Sequence, residues 1–272
     1  MYGAIFGDIL GSYYELHCTK SYNFEFQNDS SYTDDTVLTA AVCDAILYNS
    51  SELARFGKKQ RAIQYAARYK SYCSRYASAG FGSMFREWSN SDTMRVQHSY
   101  ANGGAMRVVP IGYAYRTLEQ VQRQVRASCF YTHHHKEAIN GAMAVASAVY
   151  LAYHGSSKEN IRNYIKRKFQ YSLSQSVDEM RYHYKFDSRT AYSVPPAITA
   201  FLESTGYEDA VRKAISLGGD ADTMACISGG IAEAYYKEIP SHIKTFCMKR
   251  IDGGIKQTVN QFYSRFCPEL KV

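Results

Sequence analysis

Small and apolar residues recur at helical spacing along most of this 272-residue chain. Between Asp35 and Leu47 they form a stripe that predicts a helix with one buried face. The run from Ala142 to Tyr153 is apolar nearly all round, so we expect it to form a central helix. No alternating strand pattern with hairpin turns stands out, and no Gly/Ser-rich linker interrupts the chain. These patterns predict an all-α fold with one domain over residues 1–272.

Further helices are predicted towards the carboxyl end of the chain. Pro195-Pro196 is typical of a helix start and precedes an apolar segment that ends at Leu202. The polar stretch from Ser172 to Ser193 has no clear period and is expected to be irregular. The remaining predicted helices are Tyr207–Leu217, Thr223–Tyr236 and Asp252–Phe266.

Two acidic clusters each precede a helical segment. They are Thr33-Asp34-Asp35-Thr36 and Gly218-Gly219-Asp220-Ala221-Asp222-Thr223. Acidic residues after a threonine favour a helix N-terminus, so each cluster alone is explained by capping. Carboxylate and hydroxyl oxygens are also ligands for Mg²⁺, and four clustered carboxylates would need a cation to offset their repulsion. Two such clusters in one chain therefore suggest a shared, binuclear metal site.

The segment from Gly7 to Glu15, which precedes the first acidic cluster, contains two glycines and two acids with different predicted roles. Gly7 and Gly11 at i, i+4 form a smooth helix face suited to close packing. Asp8 is expected to be a structural carboxylate rather than a ligand. Glu15 is followed by a loop, where a carboxylate could contact a water molecule or a ligand hydroxyl; taken alone, it is better explained as a surface acid.

Two glycine-rich segments are candidate anion cradles, because exposed backbone N–H groups attract negative charge. They are Gly80-Phe81-Gly82 and Asn102-Gly103-Gly104, and each alone is also consistent with a simple turn. Arg107 is expected to pair with a buried carboxylate. His134 and His135 are not expected to bind metal, because consecutive histidines cannot face one ion from a regular helix.

Charge and cysteine content narrow the class of protein. The net charge of +7 is compatible with an anionic ligand. The seven cysteines are scattered, with no Cys-x-x-Cys pair, which favours reduced thiols and a cytoplasmic location. No apolar run is long enough to span a bilayer, and the first residues do not read as a secretory signal, so no membrane association is expected.

Taken together, these motifs resemble the ADP-ribosylglycohydrolase family. The resemblance extends from Gly3 to Pro240 and depends on the order and completeness of the motifs. They are Gly7-Asp8 with Glu15, Thr33-Asp34-Asp35-Thr36, Gly80-Phe81-Gly82, Asn102-Gly103-Gly104-Ala105-Met106-Arg107, Thr132-His133 with Asn140-Gly141-Ala142, and Gly218-Gly219-Asp220-Ala221-Asp222-Thr223. The resemblance implies a compact orthogonal helical bundle with a cleft for two Mg²⁺ ions, or Mn²⁺ in some members.

The resemblance also implies a role for each matching residue. The metal ligands would be Thr33, Asp34, Asp35, Asp220, Asp222 and Thr223. The residues that contact ADP-ribose would be Gly80, Gly82, Ser99, Tyr100, Asn102, Gly103 and His133. Glu15 would act as general acid/base on a mobile flap, and Asp35 would take part in catalysis. The implied reaction is hydrolysis of the bond between the distal ribose of ADP-ribose and an acceptor.

The acceptor stays open at this point: an ADP-ribosylated protein side chain, a small-molecule conjugate, a polymer and a nucleic-acid conjugate all remain. A monomer is expected. The competing interpretations are a non-catalytic ADP-ribose-binding or crystallin-like protein and a binuclear phosphoester hydrolase. Ala101 departs from the family pattern, which commonly has glycine there, so its backbone φ is predicted to be negative.

Overall fold

The computed structural model describes residues 1–49 and 57–270, and these ranges are helical without any strand. Two isolated bridges, His98 with His133 and Ala101 with Arg189, are the extended pairings found in them. The predicted all-α class is therefore confirmed. In the described ranges, no helix is both long and apolar enough to cross a membrane.

Fourteen α-helices make up the described part of the chain. In order they are α1 Tyr2–Leu16, α2 Asp34–Asn49, α3 Lys58–Arg75, α4 Ser83–Asn90, α5 Val109–Ala114, α6 Leu118–Cys129, α7 Lys136–Tyr153, α8 Lys158–Phe169, α9 Val177–Arg181, α10 Thr190–Leu202, α11 Tyr207–Ile215, α12 Ala221–Tyr236, α13 Ser241–Met248 and α14 Gly253–Phe266. A 3₁₀ turn covers Asn102–Gly104. The helices share one apolar core.

Helices α1 and α12 run antiparallel at the centre of this core and lie unusually close together. A Cβ atom built on Gly11 would lie 2.5 Å from the carbonyl oxygen of Ala221, and one on Gly7 would overlap the carbonyl of Ala225. At the other end, Gly229 faces Gly3 in the same way. The predicted close packing is thus present, and its register brings the end of α1 beside the start of α12.

Helix α7 is also central, as its apolar sequence predicts. Its residues Gly141 to Val149 are all buried, and it packs against α5, α6, α10 and α12. Gly112 of α5 leaves room for Val149, whose Cβ would lie 2.6 Å from a Cβ on that glycine. The helices predicted from the sequence are therefore present, and most of their ends differ from the prediction by a few residues.

The predicted helix start at Pro195-Pro196 is wrong, because both prolines lie inside α10. Glu137 of α7 explains the earlier start, since its Oε1 accepts a hydrogen bond from the backbone N–H of Ala191 at 3.1 Å. Proline cannot donate to the carbonyl one turn earlier. The hydroxyl of Tyr184 donates to the carbonyl of Tyr192 at 3.1 Å and so satisfies one of the acceptors left free.

The segment from Ser172 to Ser193 is only partly irregular. It contains the short helix α9 and the first turn of α10, with irregular backbone on both sides of α9. Ser176 caps α9 through a capping box with Glu179, which is a local signal that the sequence carries. The irregular residues between α9 and α10 reach the cavity described below.

Candidate active site

Asp8 of α1 caps the start of α2 from outside that helix. Its carboxylate accepts hydrogen bonds from the backbone N–H of Thr33 at 2.9 Å and of Thr36 at 3.1 Å, and from both threonine hydroxyls. A carboxylate at this position satisfies N–H groups that a helix leaves free. Asp8 is therefore a buried structural carboxylate, and it fixes the position of Asp34 and Asp35 in the first turn.

The second acidic cluster lies at the start of α12. Gly218 adopts a left-handed conformation, with φ at 62°, and the ring of Tyr184 packs where a side chain on Gly219 would lie. This turn leads directly into Asp220 and Asp222. The hydroxyl of Thr223 donates to Asp35 Oδ2 at 3.3 Å, so the two clusters are in direct contact.

The carboxylates form two overlapping groups. Asp8, Asp35 and Asp222 offer oxygens that lie within 4.8 Å of one another, and so do Glu15, Asp220 and Asp222. Asp222 belongs to both groups and therefore joins them. Asp34 lies outside both groups but lines the same cavity.

Close packing of these acids makes ionisation unfavourable. Burial, and then the charges of Asp8 and Asp34, raise the pKa of Asp35 well above its usual range. Burial, and then Asp220, have the same effect on the pKa of Asp222. The pKa of Asp34 is raised to about 7, mainly by burial. A cation bound among these groups would reverse this effect.

One carboxylate oxygen lacks any partner. Asp35 Oδ1 is buried and accepts no hydrogen bond from the described part of the chain. An unsatisfied buried acceptor is costly, and it is more so when the group carries charge. Hard divalent cations prefer oxygen ligands, so this donor set fits Mg²⁺ or Mn²⁺.

The first glycine-rich segment lies beside Asp34. Gly80 is left-handed, with φ at 93°, and a Cβ on it would lie 3.8 Å from Asp34 Oδ1. Gly82 is the N-cap residue of α4 and has open space around it. This backbone can therefore approach a ligand bound beside Asp34, as expected for an anion cradle.

The second glycine-rich segment, Asn102-Gly103-Gly104, forms a 3₁₀ turn, and the next α-helix begins only at Val109. Ala101 has φ at −69°, so the predicted negative value is confirmed and its methyl group causes no strain. The amide of Asn102 donates to Asp220 Oδ2 at 2.8 Å, which ties the segment to the second acidic cluster.

The acidic clusters and the glycine-rich segments line one cavity of about 670 Å³. Every residue that the sequence analysis assigned to catalysis, metal binding or substrate binding lines it: Glu15, Thr33, Asp34, Asp35, Gly80, Gly82, Ser99, Tyr100, Asn102, Gly103, His133, Asp220, Asp222 and Thr223. The volume lies in the range typical of small-molecule sites. The part of the cavity lined by the acids is called the acidic wall below, and the parts lined by the two glycine-rich segments are called the glycine-rich walls.

Comparison with known proteins identifies the family of this chain. A sequence profile described as ADP-ribosylglycohydrolase matches residues 1–269. The chain belongs to the ADP-ribosylglycohydrolase family. Its relatives include ADP-ribosylhydrolase ARH3 of Homo sapiens, at 28% identity over 90% of this chain and 87% of the human protein, and that of Mus musculus, at 29% identity over 90% and 85%.

A solved structure has the same fold. It is an ADP-ribosylglycohydrolase-related protein complex with a TM-score of 0.69 and 19% sequence identity, covering 97% of this chain and 95% of that one. The predicted resemblance, fold class and enzyme class are thus confirmed at the level of the ADP-ribosylglycohydrolase family.

The sequence analysis did not predict several of the residues that line the cavity. Phe186 and Ser188 come from the irregular segment before α10, Met84 comes from α4, and Gln97 and His98 come from the loop after α4. Ser188 accepts a backbone hydrogen bond from Asn102 at 2.8 Å, so the two loops form one wall. Phe186 is exposed, and it reaches the cavity through this loop pairing, which no local sequence pattern records.

The prediction that Arg107 pairs with a buried carboxylate is wrong, because Arg107 contacts no carboxylate in the described ranges. The side chain is fully buried, and Nη2 donates to the carbonyl of Ser128 at 3.0 Å and to Thr132 Oγ1 at 2.7 Å. Its guanidinium lies 4.1 Å above the centre of the Tyr69 ring. A cation–π contact and neutral acceptors thus replace the expected ion pair.

Proposed function

We propose that this protein is a metal-dependent ADP-ribosyl hydrolase that cleaves the glycosidic bond between the distal ribose of ADP-ribose and an acceptor. The observation that carries the proposal is the meeting of Asp35 and Asp222 in one cavity, with Asp35 Oδ1 left without a hydrogen-bond partner among residues 1–49 and 57–270. Membership of the family and the ARH3 relatives support the same reaction.

Two divalent cations, Mg²⁺ or Mn²⁺, would fit the acidic wall. The proposed ligands are Thr33, Asp34, Asp35, Asp220, Asp222 and Thr223. Bound there, the ions would supply positive charge that orients ribose hydroxyls and lowers the pKa of a bound water. Asp8 is left out, because its lone pairs already accept hydrogen bonds from α2.

Glu15 is the proposed general acid/base. It lies in the last turn of α1 and lines the cavity, and burial, followed by the charges of Asp220 and Asp8, raises its pKa. A carboxyl group with a raised pKa keeps its proton to higher pH and can give it to the leaving acceptor atom as the bond to ribose C1 breaks. The carboxylate then formed, assisted by Asp35, can take a proton from the attacking water.

The glycine-rich walls are proposed to hold the rest of ADP-ribose. The segments around Gly80 and Gly103 offer backbone close enough to a ligand to bind a diphosphate, and Ser99 and Tyr100 border the same space. Fixing the diphosphate and both riboses would place C1 against the acidic wall, which is the kind of positioning that accelerates hydrolysis.

The acceptor is best determined by direct assay. Purified protein should be incubated with peptides ADP-ribosylated on serine or arginine, ADP-ribosylated nucleic acid, poly-ADP-ribose and O-acetyl-ADP-ribose, each with Mg²⁺ or EDTA. We expect release of free ADP-ribose from at least one class, abolished by EDTA and by Asp222→Ala. Asp29→Ala is the control, since Asp29 is an exposed acid outside the cavity.

Other results would contradict the proposal. Release of phosphate from nucleotide phosphoesters without free ADP-ribose would indicate a phosphoesterase. Tight ADP-ribose binding with no turnover of any conjugate would indicate a non-catalytic binding protein. If Asp222→Ala and wild type had the same turnover, the acidic residues of the cavity would not be required for hydrolysis.

A further inference from the structure

His133 occupies a tightly built position in the cavity wall. Its ring lies against the 3₁₀ turn, where a Cβ on Gly103 would be 3.0 Å from Nε2 and one on Gly104 would be 3.2 Å from the His133 Cβ. The side chain is buried, yet it lines the cavity. Within the described ranges, Nε2 has no hydrogen-bond partner, whereas Nδ1 lies 2.9 Å from Thr132 Oγ1.

The direction of the bond between Thr132 and His133 follows from Arg107. A guanidinium group can only donate, so the contact of 2.7 Å between Arg107 Nη2 and Thr132 Oγ1 uses that oxygen as an acceptor. The single hydroxyl hydrogen of Thr132 is then available for His133 Nδ1. In the opposite arrangement, Nδ1–H would donate and the buried hydroxyl hydrogen would have no acceptor, which is unfavourable.

We propose that Arg107 and Thr132 are positioning residues that hold His133 as the neutral Nε2–H tautomer, so that His133 presents one hydrogen-bond donor to an oxygen of the bound substrate. The order of donors is Arg107 to Thr132, Thr132 to His133, and His133 to ligand. The identity of the ligand rests on the proposed function, whereas the tautomer is a property of the free protein.

The surroundings of His133 also oppose a second proton on the ring. Burial, and then the positive charge of Arg107, lower the pKa of His133 well below its ordinary value. Arg107 itself is held by Ser128 and by the Tyr69 ring, so its charge cannot move away. An imidazole with one fixed donor results, rather than an imidazolium with two.

A fixed donor selects among ligand groups. Nε2–H can bind a phosphate or hydroxyl oxygen of ADP-ribose but cannot accept a hydrogen bond from an amino group. A ligand that offers only a donor here would leave a buried N–H unpaired, which is how polar sites reject wrong ligands. His133 would therefore contribute to specificity and not to bond cleavage.

The tautomer can be observed directly by two-bond ¹H–¹⁵N correlation spectra of histidine-labelled, ligand-free protein at neutral pH. The signals of His133, one of eight histidines, are assigned by their loss in His133→Gln. We expect a protonated, pyrrole-type Nε2 and an unprotonated, hydrogen-bonded Nδ1. An Nδ1–H signature in wild type overturns the inference whether or not any variant folds.

Two variants separate positioning from packing. Thr132→Val keeps the shape but removes the hydroxyl, and we expect an altered Nδ1 shift, a second tautomer and an ADP-ribose affinity that is lower by roughly 3- to 10-fold. Thr132→Ser keeps the hydroxyl and should retain the wild-type spectrum and affinity within about twofold. A Thr132→Val spectrum identical to that of wild type would overturn the relay.

Titration with ADP-ribose distinguishes this inference from the proposed function. A shift of Nε2 on binding supports both. Binding measured by calorimetry without any change at Nε2 overturns the donor role but leaves the proposed function intact. No binding of ADP-ribose at all contradicts the proposed function, while the spectrum of the free protein still decides the tautomer.

Discussion

The Thr223 hydroxyl lies 3.3 Å from Asp35 Oδ2 and joins two acidic clusters from distant parts of the chain. Each cluster alone resembles a helix N-terminus, and each does begin a helix. Their contact is better explained by a binding site for cations than by capping, because capping would not require buried like charges to meet. Asp35 Oδ1, which has no hydrogen-bond partner in the part of the chain that the structure describes, supports the same explanation.

The first prediction is that Asp35→Asn separates stability from activity. The change removes a buried charge among like charges while keeping the side-chain shape, so the metal-free variant should unfold at the same or a higher temperature than wild type. ADP-ribose release should fall by roughly 100-fold or more, since a proposed metal ligand is lost. Thermal melts in EDTA and turnover assays in Mg²⁺ measure the two effects.

The matched control is Asp29→Asn, which changes an exposed acid and should alter neither quantity. A large fall in melting temperature for the metal-free Asp35→Asn protein would mean that Asp35 stabilises the fold, and would contradict the metal interpretation of the cluster.

The second prediction links metal binding to pH. The pKa of Asp34 is raised to about 7 and that of Asp35 lies well above its usual range, so these groups bind protons more tightly in the folded than in the unfolded state. The contribution of these groups to metal-free stability is therefore fully present below pH 3.8, the ordinary pKa of Asp, and is lost as pH rises from there through about 7. Mg²⁺ needs deprotonated ligands, so its stabilising effect should increase over the same range.

Differential scanning fluorimetry at pH 5.5 and pH 8, with EDTA or saturating Mg²⁺, tests this linkage. At 100 times the dissociation constant the ion should add about 2.7 kcal/mol at pH 8 and much less at pH 5.5. An equal shift at both pH values would show that the raised pKa values do not belong to the metal ligands.

Sequence patterns predicted those parts of the molecule that depend on local chemistry. The glycines of α1, the negative φ of Ala101 and the helix starts at both acidic clusters follow from neighbouring residues. The residues that were wrongly predicted depend on distant partners. Arg107 binds Thr132 and Tyr69 rather than an acid, and α10 begins before its prolines because Glu137 of α7 caps it.

Within the candidate site, too, the residues that the sequence did not predict depend on distant partners. The acids, glycines and His133 could be chosen because the family motifs contain them, but Phe186 and Ser188 could not. They reach the cavity through pairing of their loop with Ala101 and Asn102, which no local pattern in either segment records.

The third prediction concerns the spacing between α1 and α12. Gly11→Ala would place a methyl group 2.5 Å from the carbonyl oxygen of Ala221, so the helices must separate. We expect a loss of roughly 1–3 kcal/mol in the free energy of unfolding. Because Glu15 lies one turn further along α1, activity should also fall in the protein that remains folded.

Gly253→Ala is the control for this change. Gly253 begins α14 and has no atom within 4 Å of an added Cβ, so the variant should be neutral or slightly more stable. Urea unfolding gives the free energies, and turnover per folded molecule gives the activities. Full stability and activity in Gly11→Ala would contradict the proposed role of close helix packing in positioning Glu15.

The fourth prediction separates the chemistry of Glu15 from binding. Glu15→Gln keeps the size of the side chain and its place beside Asp220 and Asp222, but it cannot exchange a proton. The value of kcat should fall by roughly 10²- to 10⁴-fold, whereas ADP-ribose affinity should change little. The limb of the pH–rate profile that reports this carboxyl should also disappear. For substrates with a good leaving group, kcat should fall least, because their cleavage needs no proton from Glu15. An equal fall in kcat for all substrates would instead assign Glu15 to binding.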